Sequence, residues 1–266
     1  MNSGLPSVFI GLFILLVIVF VIALSGYSHP QENEDVLFQT STINALLEGV
    51  YDGEITYGEL EQYGDFGIGT FNGLDGEMIG LEGTFYQIKA DGIAYPVDAS
   101  MRTPFAAVTF FEADKIVLSD RALDQKELEQ YLDDLLPTKN IFYALKIEGV
   151  FKYIKARSVP RQNKPYPPLV EVVKNQSIFE FHNVEGTIVG FRCPIYAEGI
   201  NVPGYHLHFI TEDRKAGGHL LECQVRNIGI EIDYTSEFYM VLPENAEFYA
   251  VNLEEEKHQE LEKVEK

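Results

Sequence analysis

Tryptophan is absent, and cysteine is limited to Cys193 and Cys223 in 266 residues. Without a CxxC pair or a spaced cysteine set, a disulfide framework is excluded. One bridge between the two remains open for an exported chain, alongside two buried free thiols. There is no GxGxxG turn, no Walker loop and no alternation of strands with helices, so a doubly wound nucleotide-binding fold has no support. Positive charge is also scarce. Lys and Arg total 20 against 41 Asp and Glu, for a net charge of −21. Such a surface repels nucleic-acid phosphate and anionic lipid, and no nucleic-acid partner is expected. A small anionic substrate remains compatible where a local cation or metal overrides the global field.

Charge is missing altogether ahead of His29. Val8 to Leu24 is an almost unbroken apolar run with no polar face at any helical period. It matches the shortest membrane spans and slightly exceeds the apolar core of a typical signal peptide. Ala23-Leu24-Ser25 is a small-x-small step of the kind signal peptidase cuts. No Lys or Arg precedes the run, so an anchor would lack the basic cluster that fixes orientation. Residues 1–27 are therefore expected to be a signal peptide or an N-terminal membrane anchor touching the bilayer through residues 8–24. Residues 28–266 are expected to be one domain with N-terminal and C-terminal β-rich halves, exported to the cell envelope or beyond.

What the body does contain is aromatic and glycine-rich. Fifteen Tyr, 18 Phe and 22 Gly within a 46% hydrophobic composition suit a β-rich core. The stretch Tyr63 to Gly83 is dense enough in glycine to break helices and to require tight turns between short strands. Strands are expected at Thr84 to Ile88, Ala106 to Phe111, Thr187 to Pro194, Tyr205 to Thr211, His219 to Arg226 and Gly229 to Tyr234. Asn140 to Val159 reads as two strands separated at Glu148-Gly149. One helix start is visible at Ser41 to Leu47. The clearest helix spans Leu123 to Leu136, with an Asp124/Glu127 capping box, an apolar stripe of Leu128, Tyr131, Leu132, Leu135 and Leu136, and Pro137 as its stop. Asn163 to Pro168 is looped, and the charged tail from Leu253 to Lys266 has helical character. The fold class is α+β, β-rich, with few helices.

Of the six histidines, His206, His208 and His219 fall in GYHLHFITEDRKAGGHLLECQV. Residues two apart on a strand share a face, so His206 and His208 project together, away from Tyr205, Leu207 and Phe209. With Gly217-Gly218 as a turn, His219 is expected across from Ile210, a diagonal neighbour of His208. Cys223 is then expected opposite His206, as an added ligand or a small packing residue. Three imidazoles with an open position suit a catalytic zinc, and also Fe, Ni or Cu. His29, His182 and His258 have no evident partners and are read as structural.

Several long stretches resemble the bacterial α-acetolactate decarboxylases. They are GVYDGEITYGEL, GDFGIGTFNGLDGEMIGLEGTFYQI, TPFAAVTFF, Arg157 followed by Arg161-Gln162 and Lys164-Pro165-Tyr166, and GYHLHFI with His219. They run in order from about Ser41 to Pro243. The resemblance implies that family's mixed and antiparallel sheets and a Zn2+ ion held by His206, His208 and His219. It also implies a catalytic glutamate at Glu77, an arginine at Arg157 that binds substrate and takes part in catalysis, and Thr70 lining the pocket. A second glutamate comes from the tail, among Glu254, Glu255, Glu256, Glu260, Glu262 and Glu265, with Glu265 assigned to it. The implied reaction turns (S)-2-acetolactate into (R)-acetoin and carbon dioxide, in acetoin and butanediol biosynthesis, without an organic cofactor and in a homodimer. Two rival readings are a cupin-like metal oxygenase or isomerase, marked by bound Fe(II) and oxygen consumption, and a non-enzymatic exported zinc-binding protein.

Overall fold

A computed structural model of the chain describes residues 35–265. The Val8 to Leu24 run and His29 lie outside the described residues. Among the described residues no helix is long and apolar enough to cross a membrane.

The first stretch holds β1 (Val36–Thr40), α1 (Ile43–Leu47), α2 (Tyr57–Leu60), β2 (Phe66–Thr70), β3 (Glu77–Leu81), β4 (Thr84–Ile88), β5 (Ala94–Pro96) and β6 (Ala106–Thr109). Then come β7 (Lys115–Ser119), β8 (Leu123–Asp124), α3 (Gln125–Leu135), β9 (Tyr143–Ser158), α4 (Leu169–Val172) and β10 (Ser177–Cys193). The remainder holds β11 (Gly204–Thr211), β12 (Gly217–Val225), β13 (Ile228–Asp233), β14 (Glu237–Val241), α5 (Ala246–Ala250) and α6 (His258–Glu265). The chain is strand-rich with few helices, as expected.

Two seven-stranded sheets result, ordered β14-β1-β6-β2-β3-β4-β5 and β7-β13-β9-β10-β11-β12-β8. The first is mixed, because β1 and β14 pair in parallel. The second is antiparallel. Side chains from both sheets, among them Ile68, Ile79, Val189, Phe191 and Ile210, form one shared core. A second core lies on the other face of the antiparallel sheet, where Leu145, Ile154, Leu207 and Phe209 meet α3.

The α3 helix forms for local reasons. Glu127 N–H donates to the Asp124 carboxylate at 2.9 Å, and Asp124 N–H donates back to Glu127 at 3.0 Å. Leu128 and Leu132 are fully buried, with Tyr131, Leu135 and Leu136 packed beside them. Each buried leucine contributes roughly 1.5–3 kcal/mol.

Three strand expectations change. Asn140 to Val159 is not two strands: β9 is continuous, and the Glu148-Gly149 step marks a change of partner. Its first half pairs with β13 up to Gly149, and its second half pairs with β12 from Tyr153 onward. Strands β9 to β12 therefore close on themselves, and the second core lies inside them. Strand β10 begins at Ser177, earlier than the expected Thr187, because its extension alternates partly buried and exposed residues along β9. The Gly217-Gly218 pair is inside β12 and not a turn. A Cβ on Gly217 would stand 2.2 Å from the Phe209 carbonyl oxygen, and one on Gly218 would stand 2.4 Å from that of Arg157. Only glycine lets β12 lie this close to both neighbours.

Gly218 also has φ of +150°, so Gly218→Ala is expected to cost more than about 1 kcal/mol of stability. Gly229→Ala, where the nearest atom to the new Cβ is a Leu118 methyl at 3.8 Å, is expected within about 0.5 kcal/mol of the parent. Urea unfolding of both variants checks this, and equal midpoints would contradict the close-packing argument.

Candidate metal centre

Three neighbouring strands set the centre. On β11, His206 and His208 share one face, while Leu207 and Phe209 turn into the opposite core. His219 of β12 pairs directly with His208 on one side and with Arg157 of β9 on the other. The expected register differs: Ile210 pairs with Gly217, not with His219. Because the glycines are inside the strand, His219 moves from a diagonal to a direct neighbour of His208. Cys223 is not opposite His206. It pairs with Ile154, packs in the core around α3, and its thiol lies 3.1 Å from the Gln125 side-chain amide oxygen Oε1. Cys193 and Cys223 are both buried and free.

The three imidazoles are buried, and one nitrogen from each lies within 4.8 Å of the others. Burial, with Arg157 adding to it, pushes the His206 pKa down to about 3. Burial first, then neighbouring charges, puts His208 and His219 well below the usual range. All three are held neutral, the form that binds metal. The His208 ring lies with Nδ1 2.8 Å from the Met78 carbonyl oxygen. A neutral ring donates there, which leaves the Nε2 lone pair free. That Nε2 has no hydrogen-bond partner.

Two carboxylates reach the imidazoles from separate elements. Glu77 opens β3 and pairs with Thr70 of β2. The turn between them is tied by the Thr70 hydroxyl, which donates to the Gly76 carbonyl at 2.6 Å. Arg157 Nη1 donates to Glu77 Oε1 at 2.8 Å, and Glu77 Oε2 is 3.9 Å from His208 Nε2. Burial drives the Glu77 pKa up to about 7, against the pull of Arg157. Glu265 arrives on α6. Its Oε2 lies 3.7 Å from Nε2 of both His206 and His219 and has no hydrogen-bond partner. Burial raises its pKa to about 7 as well, with Arg157 opposing. Arg157 Nη2 donates to the Val264 carbonyl at 3.2 Å.

A divalent cation fits these residues. Donors sharing one ion through bonds of about 2.1 Å at tetrahedral angles stand about 3.4 Å apart. The 3.7 Å separations are near that value and too long for hydrogen bonds. Ionised, the two carboxylates outweigh Arg157 by one negative charge in a buried space, and a dication reverses that sign.

The structure thus brings together Thr70, Glu77, Arg157, His206, His208, His219 and Glu265, all lining one cavity of about 30 Å³. The other tail glutamates are elsewhere. Glu255 and Glu260 face Lys257, and Glu262 approaches His258. A signal for Glu265 was available, since it flanks the apolar face formed by Leu261 and Val264, as does Glu260. Residue-level reading missed the Met78 carbonyl and an apolar wall of Leu74, Phe105, Val159 and Leu169. No local motif marks that wall, because its members come from four separate segments. His182 packs against Tyr153 and His258 pairs with Glu198, both away from the centre.

The family model described as alpha-acetolactate decarboxylase matches residues 37–255. The alpha-acetolactate decarboxylase of Methanosarcina mazei is 56% identical over 232 residues, covering 87% of this chain and 81% of the relative. That of Methylococcus capsulatus is 52% identical over 226 residues, covering 85% and 87%. The crystal structure of alpha-acetolactate decarboxylase from Bacillus subtilis strain 168 superposes with a TM-score of 0.85 at 45% identity, covering 86% of this chain and 99% of that one. Glu265 lies beyond the residues matched by the family model, whereas the other six residues of the centre lie within them.

Removing one imidazole tests the centre directly. His208→Ala is expected to lose most bound divalent metal, since His208 is one of three equally spaced imidazoles and is oriented by the Met78 carbonyl. Metal analysis after dialysis against a weak chelator reads the result. A variant retaining one tightly held ion per chain would remove His208 from the ligand set.

Proposed function

The chain belongs to the alpha-acetolactate decarboxylase family, and we propose that it removes carbon dioxide from (S)-2-acetolactate to give (R)-acetoin at a zinc ion held by His206, His208 and His219. As a member it is an enzyme, a carboxy-lyase. The observation that carries the finer reading is the convergence of three neutral, buried imidazoles with Glu77, Arg157 and Glu265 on one small cavity. Placement in acetoin and butanediol biosynthesis follows from the proposed product.

Loss of carbon dioxide from a β-keto acid leaves electron density on the former ketone, as an enediolate. When bound, zinc supplies Lewis acidity to the ketone and hydroxyl oxygens where that charge develops. The protein supplies the rest. Arg157 has Nε buried without a partner and a fixed planar cation to orient the substrate carboxylate. The wall of Leu74, Phe105, Val159 and Leu169 excludes water, which strengthens each of these interactions. Glu77, its pKa raised to about 7, holds or releases a proton near neutral pH, as a general acid or base requires. Glu77 on one side of the imidazoles and Glu265 on another give the carbon a proton from a defined direction, which a single acetoin enantiomer demands. Thr70 has its hydrogen committed to Gly76, so it presents only acceptor lone pairs to substrate and holds the turn that delivers Glu77.

The proposal extends to location and assembly. The Val8 to Leu24 run is proposed to export the domain, either as a cleaved signal or as an anchor in contact with the membrane. A homodimer is proposed from the family.

Glu77→Gln keeps size and most hydrogen bonding but removes the titrating proton. Its turnover of acetolactate is expected to fall by about 10²–10⁴, with zinc content and fold retained. Acetoin formation and metal content measured on one sample decide the matter. Loss of less than about threefold, roughly 0.65 kcal/mol of barrier, would rule out Glu77 as the proton-transfer group. A wild-type protein loaded with zinc that forms no acetoin would overturn the decarboxylase reading. Cell fractionation tests export, and full-length protein free in the cytosol would contradict it.

A further inference from the structure

The tail reaches the centre through α6, and the residue just before that helix is Lys257. Its carbonyl accepts from Leu261 N–H at 2.9 Å. Its ammonium contacts Glu48 at 2.5 Å, Glu260 at 3.4 Å and Glu255 at 3.8 Å. The Lys257 side chain is only 11% exposed, and that of Glu48 is 27% exposed. The hydrogen bond to Glu48 is the main reason its pKa lies above the ordinary lysine value.

Both charges stand at the wrong ends of their helices. Glu48 is the C-cap of α1, where unpaired carbonyls disfavour a carboxylate. Lys257 precedes the first turn of α6, where unpaired N–H groups disfavour an ammonium. Each charge opposes the dipole of its own helix, and of the three carboxylates that Lys257 meets, Glu48 is the nearest and the one outside the tail. The contact joins α1 to the start of the tail helix. Beyond it, Leu261 and Val264 enter a core with Ile43, Leu46, Leu47, Leu169 and Val172, and Glu265 enters the centre.

With Glu265 in place the cavity of about 30 Å³ holds about two or three waters, each needing about 10–15 Å³ by this measure. A five-carbon hydroxyketo acid does not fit. The strands beneath the imidazoles are fixed by sheet pairing, the apolar wall comes from segments outside the tail, and α6 is the covering element held by one end of the chain. We infer that residues 257–265 form a lid that must lift to admit substrate, and that Lys257 is the positioning residue that latches the lid shut on Glu48. The size argument rests on the proposed substrate; the latch does not.

The experiment uses the full chain freed of metal. Amide hydrogen exchange, read by mass spectrometry, compares wild type with Lys257→Met, Lys257→Arg and the swap Glu48→Lys/Lys257→Glu. The swap is made and compared in a Glu255→Gln/Glu260→Gln background, which removes the two carboxylates that Lys257→Glu would otherwise face; there each charge suits its own helix end and the pair is kept. Exchange across 258–265 in Lys257→Met is expected to quicken roughly fivefold to tenfold, while β9 and β10 stay unchanged. Lys257→Arg and the swap are expected within about twofold of their respective parents. With metal and acetolactate, kcat is expected to fall several-fold in Lys257→Met, with KM unchanged or lower, and to recover in the swap, because Glu265 spends less time in place when unlatched. Tail exchange that is equal in wild type and Lys257→Met, or a swap as fast as Lys257→Met, would overturn the latch. Faster exchange throughout the strands would also overturn it, by showing a general loss of stability. Latch-dependent exchange in a wild type with no decarboxylase activity would support the lid and overturn the decarboxylase reading alone.

Discussion

A buried guanidinium must find partners, and Arg157 finds them in two parts of the chain distant from its own strand. It stands on β9 of the antiparallel sheet, pairs with Glu77 of the mixed sheet, and donates to the Val264 carbonyl of the tail. On its own sheet it is the cross-strand neighbour of His219, which is in turn the neighbour of His208. One side chain therefore sets the spacing between the sheets at the centre, docks the tail, and stands beside the imidazole row. The close approach that allows this row depends on Gly217 and Gly218, because any side chain there would separate β12 from β9 and β11.

Charge gives these placements their chemical meaning. A chain of net charge −21 presents a repulsive field to an anionic keto acid. Inside the centre the imidazoles are neutral, and Arg157 offsets one of the two carboxylates. A bound dication makes that buried space positive where the rest of the molecule is negative, and low polarity amplifies the difference. The same burial that keeps the histidines in their ligand form lifts Glu77 and Glu265 towards neutrality. The proposed ligands and proton carriers thus share one physical cause, acting on bases and acids in opposite directions.

Much of this is visible in the chain before folding. The period-two placement of His206 and His208 and the capping box of α3 depend only on neighbours in sequence, and both appear in the structure. The register of His219 depends on whether two glycines turn or lie flat, which is decided by how tightly β12 packs on strands distant in sequence. The pairing of Arg157 with His219, and the salt bridge to Glu77, carry no local signal at all. They arise because β9 exchanges partners beyond Gly149, a topological event that hydrophobic pattern registers only as an interruption. Glu265 lies between these extremes. The Leu261 and Val264 face narrows the tail glutamates to two, and only docking on α1 and α4 separates Glu265 from Glu260.

The central claim is that three imidazoles from β11 and β12 would hold one metal ion, with the Glu265 carboxylate of the tail beside it. X-ray absorption at the zinc edge of the loaded protein tests it most directly. Three imidazole shells at about 2.0–2.1 Å with oxygen completing the coordination are expected. A sulfur shell near 2.3 Å, or fewer than three imidazoles, would place the metal elsewhere and contradict it.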